Sequence, residues 1–154
     1  MQVAVIGSGV EHEERAEEVG RLLAERGCTV VCGGRGEVMA AAARGAKSAG
    51  GTTIGILPGE THADANQWID HVVVTGIGHA RNLAVVASGD VVVAVGGEWG
   101  TLSEIGLAGV LGRPVVLLSG WRLDHAAAVP TEVHYAESAQ EAVEAATRLA
   151  SGQD

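Results

Sequence analysis

Short, unbroken apolar runs alternate along this chain with stretches in which apolar positions recur every three or four residues. The clearest run is Asp90-Val91-Val92-Val93-Ala94-Val95, mostly β-branched. A run of that length and composition predicts a strand covered on both faces of a parallel sheet. Similar runs predict strands at Gln2–Ile6, Thr29–Cys32, Thr52–Leu57, His71–Thr75, Val115–Leu118 and Glu132–Tyr135. The first helical stretch, His12–Arg26, sets Ala16, Val19, Leu22 and Leu23 along one side with glutamates opposite, and Gly27 stops it. Further helices are predicted at Glu37–Ala49, dominated by alanine, at His79–Ala87, at Thr101–Leu111 and at Ser138–Leu149. Ser138 followed three residues later by Glu141 is a capping-box signature. Glu60–Asp70 and Ser119–Pro130 lack periodicity and read as surface loops; the second carries Trp121, Arg122, Asp124 and His125. The alternation predicts a doubly wound α/β domain with a mostly parallel sheet in three layers. One domain spans residues 1–150, and 151–154 form a frayed tail.

The punctuation between these elements is glycine, 23 residues of it. Four strand-to-helix turns are glycine-rich: Gly7-Ser8-Gly9, Gly33-Gly34-Arg35-Gly36, Gly76-Ile77-Gly78 and Gly96-Gly97-Glu98-Trp99-Gly100-Thr101. In a parallel sheet all of them fall at the carboxyl edge, where ligands bind at the point of strand-order reversal. Glycine lets the backbone approach a ligand closely, and a helix start directs N–H groups and a positive dipole end at the same spot. The combination predicts an anion site, most often for phosphate. Its expected binding residues are Gly7, Ser8, Gly33, Gly34, Arg35, Gly96, Gly97, Gly100 and Thr101.

Arg81 lies in the first turn of a helix, where an anion is favoured over a cation, so a ligand-contacting role is expected. His79 caps the turn, binds ligand or faces water. Thr101 and Glu104 have two readings. As Thr-x-x-Glu they form a capping box; alternatively, Glu104 is a carboxylate at the mouth of the anion site, holding a sugar hydroxyl or a proton.

Charge and composition narrow the partners. Formal net charge is −9, and Lys47 is the one lysine. That balance argues against direct nucleic-acid binding and against an anionic membrane surface. Hydrophobic residues make up 47% but aromatics only 3%, so the core must be aliphatic. Cys28 and Cys32 read as buried, reduced thiols. No Walker loop and no complete G-x-G-x-x-G is present, which disfavours dinucleotide binding. His62, His71, His125 and His134 show no metal-ligand spacing, so no metal site is expected. No targeting segment or membrane span is apparent, and a cytoplasmic location is the expectation.

Four segments occur in a telling order: Cys32-Gly33-Gly34-Arg35-Gly36-Glu37-Val38-Met39, Gly50-Gly51-x-x-Ile54-Gly55-Ile56-Leu57-Pro58, Ala80-Arg81-Asn82 and Gly96-Gly97-Glu98-Trp99-Gly100-Thr101-Leu102-Ser103-Glu104. In these the chain resembles the LOG-like (SLOG) superfamily of Rossmann-like proteins, often mislabelled lysine decarboxylases. It is most similar to the small bacterial branch that includes the molybdenum cofactor carrier protein. The resemblance runs roughly from Val3 to Val116. It implies two functions. One is a binding protein for a phosphate-bearing small molecule, a nucleotide or molybdopterin-type cofactor, with no other cofactor required. The other is a nucleoside 5′-monophosphate phosphoribohydrolase, in which Arg81 and Glu104 would be the catalytic pair and Gly97, Gly100 and Thr101 would hold phosphate. The family commonly dimerises through helices beside the site, which implies a homo-oligomer, dimer or tetramer, on the face of Gly106 and Gly109. The enzymes have Arg-Lys at Arg81-Asn82 and Pro-Gly-Gly at Gly96-Gly97-Glu98. These departures place the binding protein first and the hydrolase second.

Overall fold

The valine run forms the strand that the sequence predicts, Val91–Gly96, and every one of its residues is buried. It lies near the middle of a seven-stranded sheet in the computed structural model, which describes residues 1–123 and 131–152. Numbered along the chain, the strands are β1 (Gln2–Ser8), β2 (Thr29–Cys32), β3 (Thr53–Leu57), β4 (His71–Val74), β5 (Val91–Gly96), β6 (Val115–Leu118) and β7 (Val133–Ala136). The helices are α1 (Glu13–Glu25), α2 (Val38–Ser48), α3 (Arg81–Ser88), α4 (Trp99–Val110) and α5 (Ala139–Ser151). The order across the sheet is β4-β3-β2-β1-β5-β6-β7, with every pairing parallel. The order reverses between β1 and β5, whose ends are level, Ser8 opposite Gly96.

Helices cover both faces. One core joins Val3, Val5, Val30, Val91, Val93 and Val95 to α1, α2 and α5. The other joins Ala4, Ile6, Val31, Val92 and Ala94 to α3 and α4. Neither contains a fully buried aromatic side chain. Small residues let the first layer close tightly. A Cβ on Gly20 of α1 would overlap the Ala42 carbonyl of α2, and one on Gly45 of α2 would overlap the Glu17 carbonyl of α1. The alanine-rich helix therefore packs backbone to backbone against its helical neighbour as well as on the sheet.

Several boundaries shift by local geometry. A 3-10 turn, Val10–His12, precedes α1, and another, His62–Asp64, sits in the Glu60–Asp70 loop. Ser138 caps α5 as expected: its hydroxyl accepts the Glu141 N–H at 3.2 Å, while the Glu141 carboxylate accepts the Glu137 N–H at 2.9 Å. The helix runs on to Ser151, two residues past the sequence expectation, and ends at Gly152 in the left-handed region. Asp124, His125 and the remainder of the second loop to Pro130 lie outside the described residues. Among the described residues, no helix is long and apolar enough to cross a membrane.

Candidate functional site

The crevice over the β1–β5 reversal is open. A cleft of about 260 Å³ is lined there by Val5, Ile6, Gly7 and Ser8 from the end of β1, by Gly33 after β2, by Met39 of α2, and by His79, Arg81 and Asn82 at the start of α3. Glu98, Gly100, Thr101 and Glu104 close it from the α4 side. A second lobe of about 290 Å³ shares Gly7, Ser8, Met39 and Arg81 and extends along Arg35, Gly36 and Glu37. Of the residues singled out from sequence, Gly7, Ser8, Gly33, Arg81, Gly100, Thr101 and Glu104 line the main cleft and Arg35 the second lobe.

The other three glycines shape the turns from behind. Gly34 sits at φ +72 with a Cβ position only 2.9 Å from the Leu57 side chain, and its N–H donates to the Cys32 Sγ at 3.4 Å. Gly96 sits at φ +61 against the His12 ring. Gly97 sits at φ +113 over Thr101, where a Cβ would overlap that side chain. Glycine is needed at the last two both for their dihedrals and for the close approach.

Helix α4 begins at Trp99, two residues before the expected start, with Glu98 at its N-cap making no side-chain cap bond. Thr101 is therefore inside the first turn and buried, and the Thr101–Glu104 capping box is not formed. The first backbone N–H to find its helical partner is that of Leu102, on the Glu98 carbonyl at 3.0 Å. The N–H groups of Trp99, Gly100 and Thr101 are the ones a helix leaves for an external acceptor. The turn is fixed from both sides: the Glu98 N–H donates to Ser8 Oγ at 3.1 Å and the Glu98 carbonyl accepts Trp121 Nε1 at 3.2 Å.

Arg81 is a built-in part of the cleft wall. Its Nη1 donates to the Gly33 carbonyl at 2.6 Å and to the Ile56 carbonyl, and its Nε donates to Asn82 Oδ1 at 2.8 Å. Those bonds hold the guanidinium across the ends of β2 and β3 and leave Nη2 for another partner. Burial lowers its pKa, while the charge of Glu104 works the other way. Burial also pushes the Glu104 carboxyl up to about 7, with Arg81 opposing the rise. No ion pair within 4 Å joins the two, so the cleft holds a guanidinium and a carboxyl that titrates near neutrality, side by side rather than neutralised.

Three contributors had no role of their own in the sequence reading. Asn66, in the Glu60–Asp70 loop, braces the β2 turn: its Nδ2 donates to the Arg35 carbonyl at 2.7 Å and its N–H to the Gly34 carbonyl at 2.8 Å. Asn82 orients Arg81. Glu37 occupies the N-cap position of α2 at φ 52, ψ −130 and makes no side-chain cap bond there. An L-residue in that region carries strain on the order of 1–3 kcal/mol. The signal for Glu37 was present, as a bulky residue where the glycine run of the second turn ends.

Cys32, below the second turn, is buried and free, and burial pushes its thiol up to about 11. The cleft lining itself contains no cysteine. Its donor set suits an anion held by a guanidinium and backbone N–H groups, and offers no thiolate to a soft metal.

The sequence profile of the SLOG cluster4 family matches residues 1–148. A molybdenum cofactor binding protein from Rippkaea orientalis is 36% identical and superposes with a TM-score of 0.87, covering 96% of each chain. The molybdenum cofactor carrier protein of Chlamydomonas reinhardtii is 35% identical with a TM-score of 0.84, over 97% of this chain and 98% of that one. A cytokinin riboside 5′-monophosphate phosphoribohydrolase from Mycobacterium tuberculosis is 33% identical over 118 residues, 70% of this chain and 63% of that protein.

Proposed function

The chain belongs to the SLOG cluster4 family, and from that premise we propose that it is a cytoplasmic carrier that holds a phosphate-bearing small molecule, of the molybdopterin type, in the cleft over β1 and β5. The observation that carries the reading is the pairing of the open first turn of α4 with the fixed guanidinium of Arg81 across one cleft. Backbone N–H groups at a helix start and a guanidinium are both phosphate donors. The likeness to cofactor-binding proteins over 96% of their length supports the same class of cargo. In this reading the phosphate is the handle, and Glu104, near half-protonated at neutral pH, sits deep in the cleft as donor or acceptor to the rest of the molecule.

Arg81 and Glu104 in one cleft also favour a second reading, a nucleoside 5′-monophosphate phosphoribohydrolase. There Glu104 would stabilise positive charge developing on the ribose and Arg81 would orient the nucleotide. Glu98 in the lining and Asn82 beside Arg81 are the residues that set this cleft apart from the enzyme pattern. An exposed apolar groove along α4, with Ile105, Gly106, Gly109 and Val110 in its wall, supports self-association beside the site.

Purified protein is incubated with AMP and other nucleoside monophosphates and free base is followed by chromatography; in parallel, melting is followed with molybdopterin-type cofactor. The carrier reading expects a ligand-dependent rise in Tm without base release. Base release that disappears in Glu104→Gln replaces it with the hydrolase. Arg81→Lys is the informative partner variant, since it keeps the charge and loses the fork between the Gly33 and Ile56 carbonyls.

A further inference from the structure

Glu37 belongs to the second lobe, and its backbone and side chain both depart from what its position calls for. Its φ of 52 and ψ of −130 lie where glycine is at ease, and among the described residues only Ser119 shares a positive φ without being glycine. The Glu37 side chain makes no capping bond to the helix it precedes. Here Oε2 instead reaches across to the first glycine turn and accepts the Gly9 N–H at 2.7 Å. The Glu11 carboxylate crowds the same glycine, at 2.8 Å from where its Cβ would stand. The Gly9 N–H is thus occupied from within, and the Glu37 carboxylate stands in the second lobe beside Arg35. Arg81 borders both lobes, and the α4 N-terminus stands in the main cleft alone.

We propose that Glu37 determines which way round, and which class of, ligand the cleft accepts: an anionic group at the α4 end, and at the Glu37 end a pair of neighbouring hydrogen-bond donors. The inference rests on the phosphate-binding reading of the main cleft. Oε2 is spent on Gly9, and among the described residues Oε1 has no hydrogen-bond partner. Carboxylates at the end of a second strand serve this purpose in other parallel-sheet proteins, where they hold ribose hydroxyls. Two sources present such a donor pair: the vicinal hydroxyls of a ribose, and the N–H edge of an aminopyrimidinone ring, as in guanine or a pterin. The Glu37 lobe carries Arg35 beside Glu37, so the two charges there offset one another, whereas the α4 end offers open backbone N–H groups. The bond from the Gly9 N–H holds the Glu37 carboxylate away from its own helix.

The test is calorimetric titration of wild-type protein, Glu37→Gln and Glu37→Gly with GMP, with 2′-deoxy-GMP, with IMP and with inorganic pyrophosphate. GMP binding is expected to weaken about tenfold in both variants, with pyrophosphate binding unchanged or tighter. If 2′-deoxy-GMP is insensitive to the substitutions, the ribose hydroxyls are the donors; if IMP is insensitive, the ring amino group is. Glu37→Gly relieves the backbone strain, so its Tm should match or exceed that of wild type, and a binding loss in it cannot be ascribed to unfolding. GMP and pyrophosphate affinities that change in parallel, or not at all, overturn the role of Glu37 and leave the phosphate site standing. Wild-type protein that binds none of the four ligands overturns the phosphate reading and this inference with it.

Discussion

The turns after β1 and β5 lie side by side, are both rich in glycine, and end in different states. At the first, the Gly9 N–H is occupied by Glu37 and the Glu11 carboxylate stands against it. At the second, α4 starts early and leaves the N–H groups of Trp99, Gly100 and Thr101 to whatever enters the cleft. Glycine content marks where backbone can be approached. It does not say whether the approach has already been made by the protein's own side chains. Only the second turn has the character of an anion site as it stands.

That contrast can be broken at four places. The largest effect is expected for Gly97→Ala. It demands a φ of +113 of a residue with a Cβ, and it drives that Cβ into Thr101. Backbone strain and overpacking each cost on the order of 1–3 kcal/mol, so about 4 kcal/mol should be lost in urea denaturation.

Glu104→Gln comes next and is read against pH. The native carboxyl titrates at about 7 against an ordinary 4.5, so as pH rises the unfolded chain releases this proton first. The Glu104 contribution to wild-type stability should fall from about pH 4.5 to about pH 7 and be level on either side, by up to about 3 kcal/mol in all. The amide variant should lack that slope. A slope that persists in Glu104→Gln would move its origin elsewhere in the molecule.

Gly9→Ala also forces a positive φ, of +100, but meets the flexible end of Glu11, which can swing away. About 1–2 kcal/mol is expected, clearly less than for Gly97→Ala. Equal losses at the two positions would show that the turns are not different in kind. The smallest effect belongs to Gly100→Ala. A Cβ there enters open space within a helix, so stability should rise by about 0.5–1 kcal/mol.

The strand and helix pattern was legible because it rests on local periodicity. All seven strands lie where the apolar runs predict them, and the five helices within a few residues of expectation. The site was legible in part. Parallel topology obliges the glycine turns to share one edge, so Gly7, Gly33, Gly100 and Arg81 could be brought together from sequence. The start of α4 could not be placed, because Thr101-x-x-Glu104 has the form of a cap, and nothing local says that the helix begins a half-turn earlier. Glu37, Asn66 and Asn82 act through partners that local sequence does not define: Glu37 reaches Gly9 and Asn66 reaches Arg35 across long stretches of chain. Asn82 touches its own neighbour, but only because Arg81 is already drawn toward the carbonyls of β2 and β3.

By itself, then, the sequence determined the layers, the strand succession and the edge on which the glycine turns gather, since each follows from side-chain periodicity and from the handedness of parallel crossovers. The tertiary structure decided the rest. It chose which N–H groups stay available, it buried Glu104 far enough to bring its titration near neutrality, and it turned Glu37 across the cleft. Each of these depends on how close two distant segments come, and desolvation and hydrogen bonding respond to that separation rather than to order along the chain.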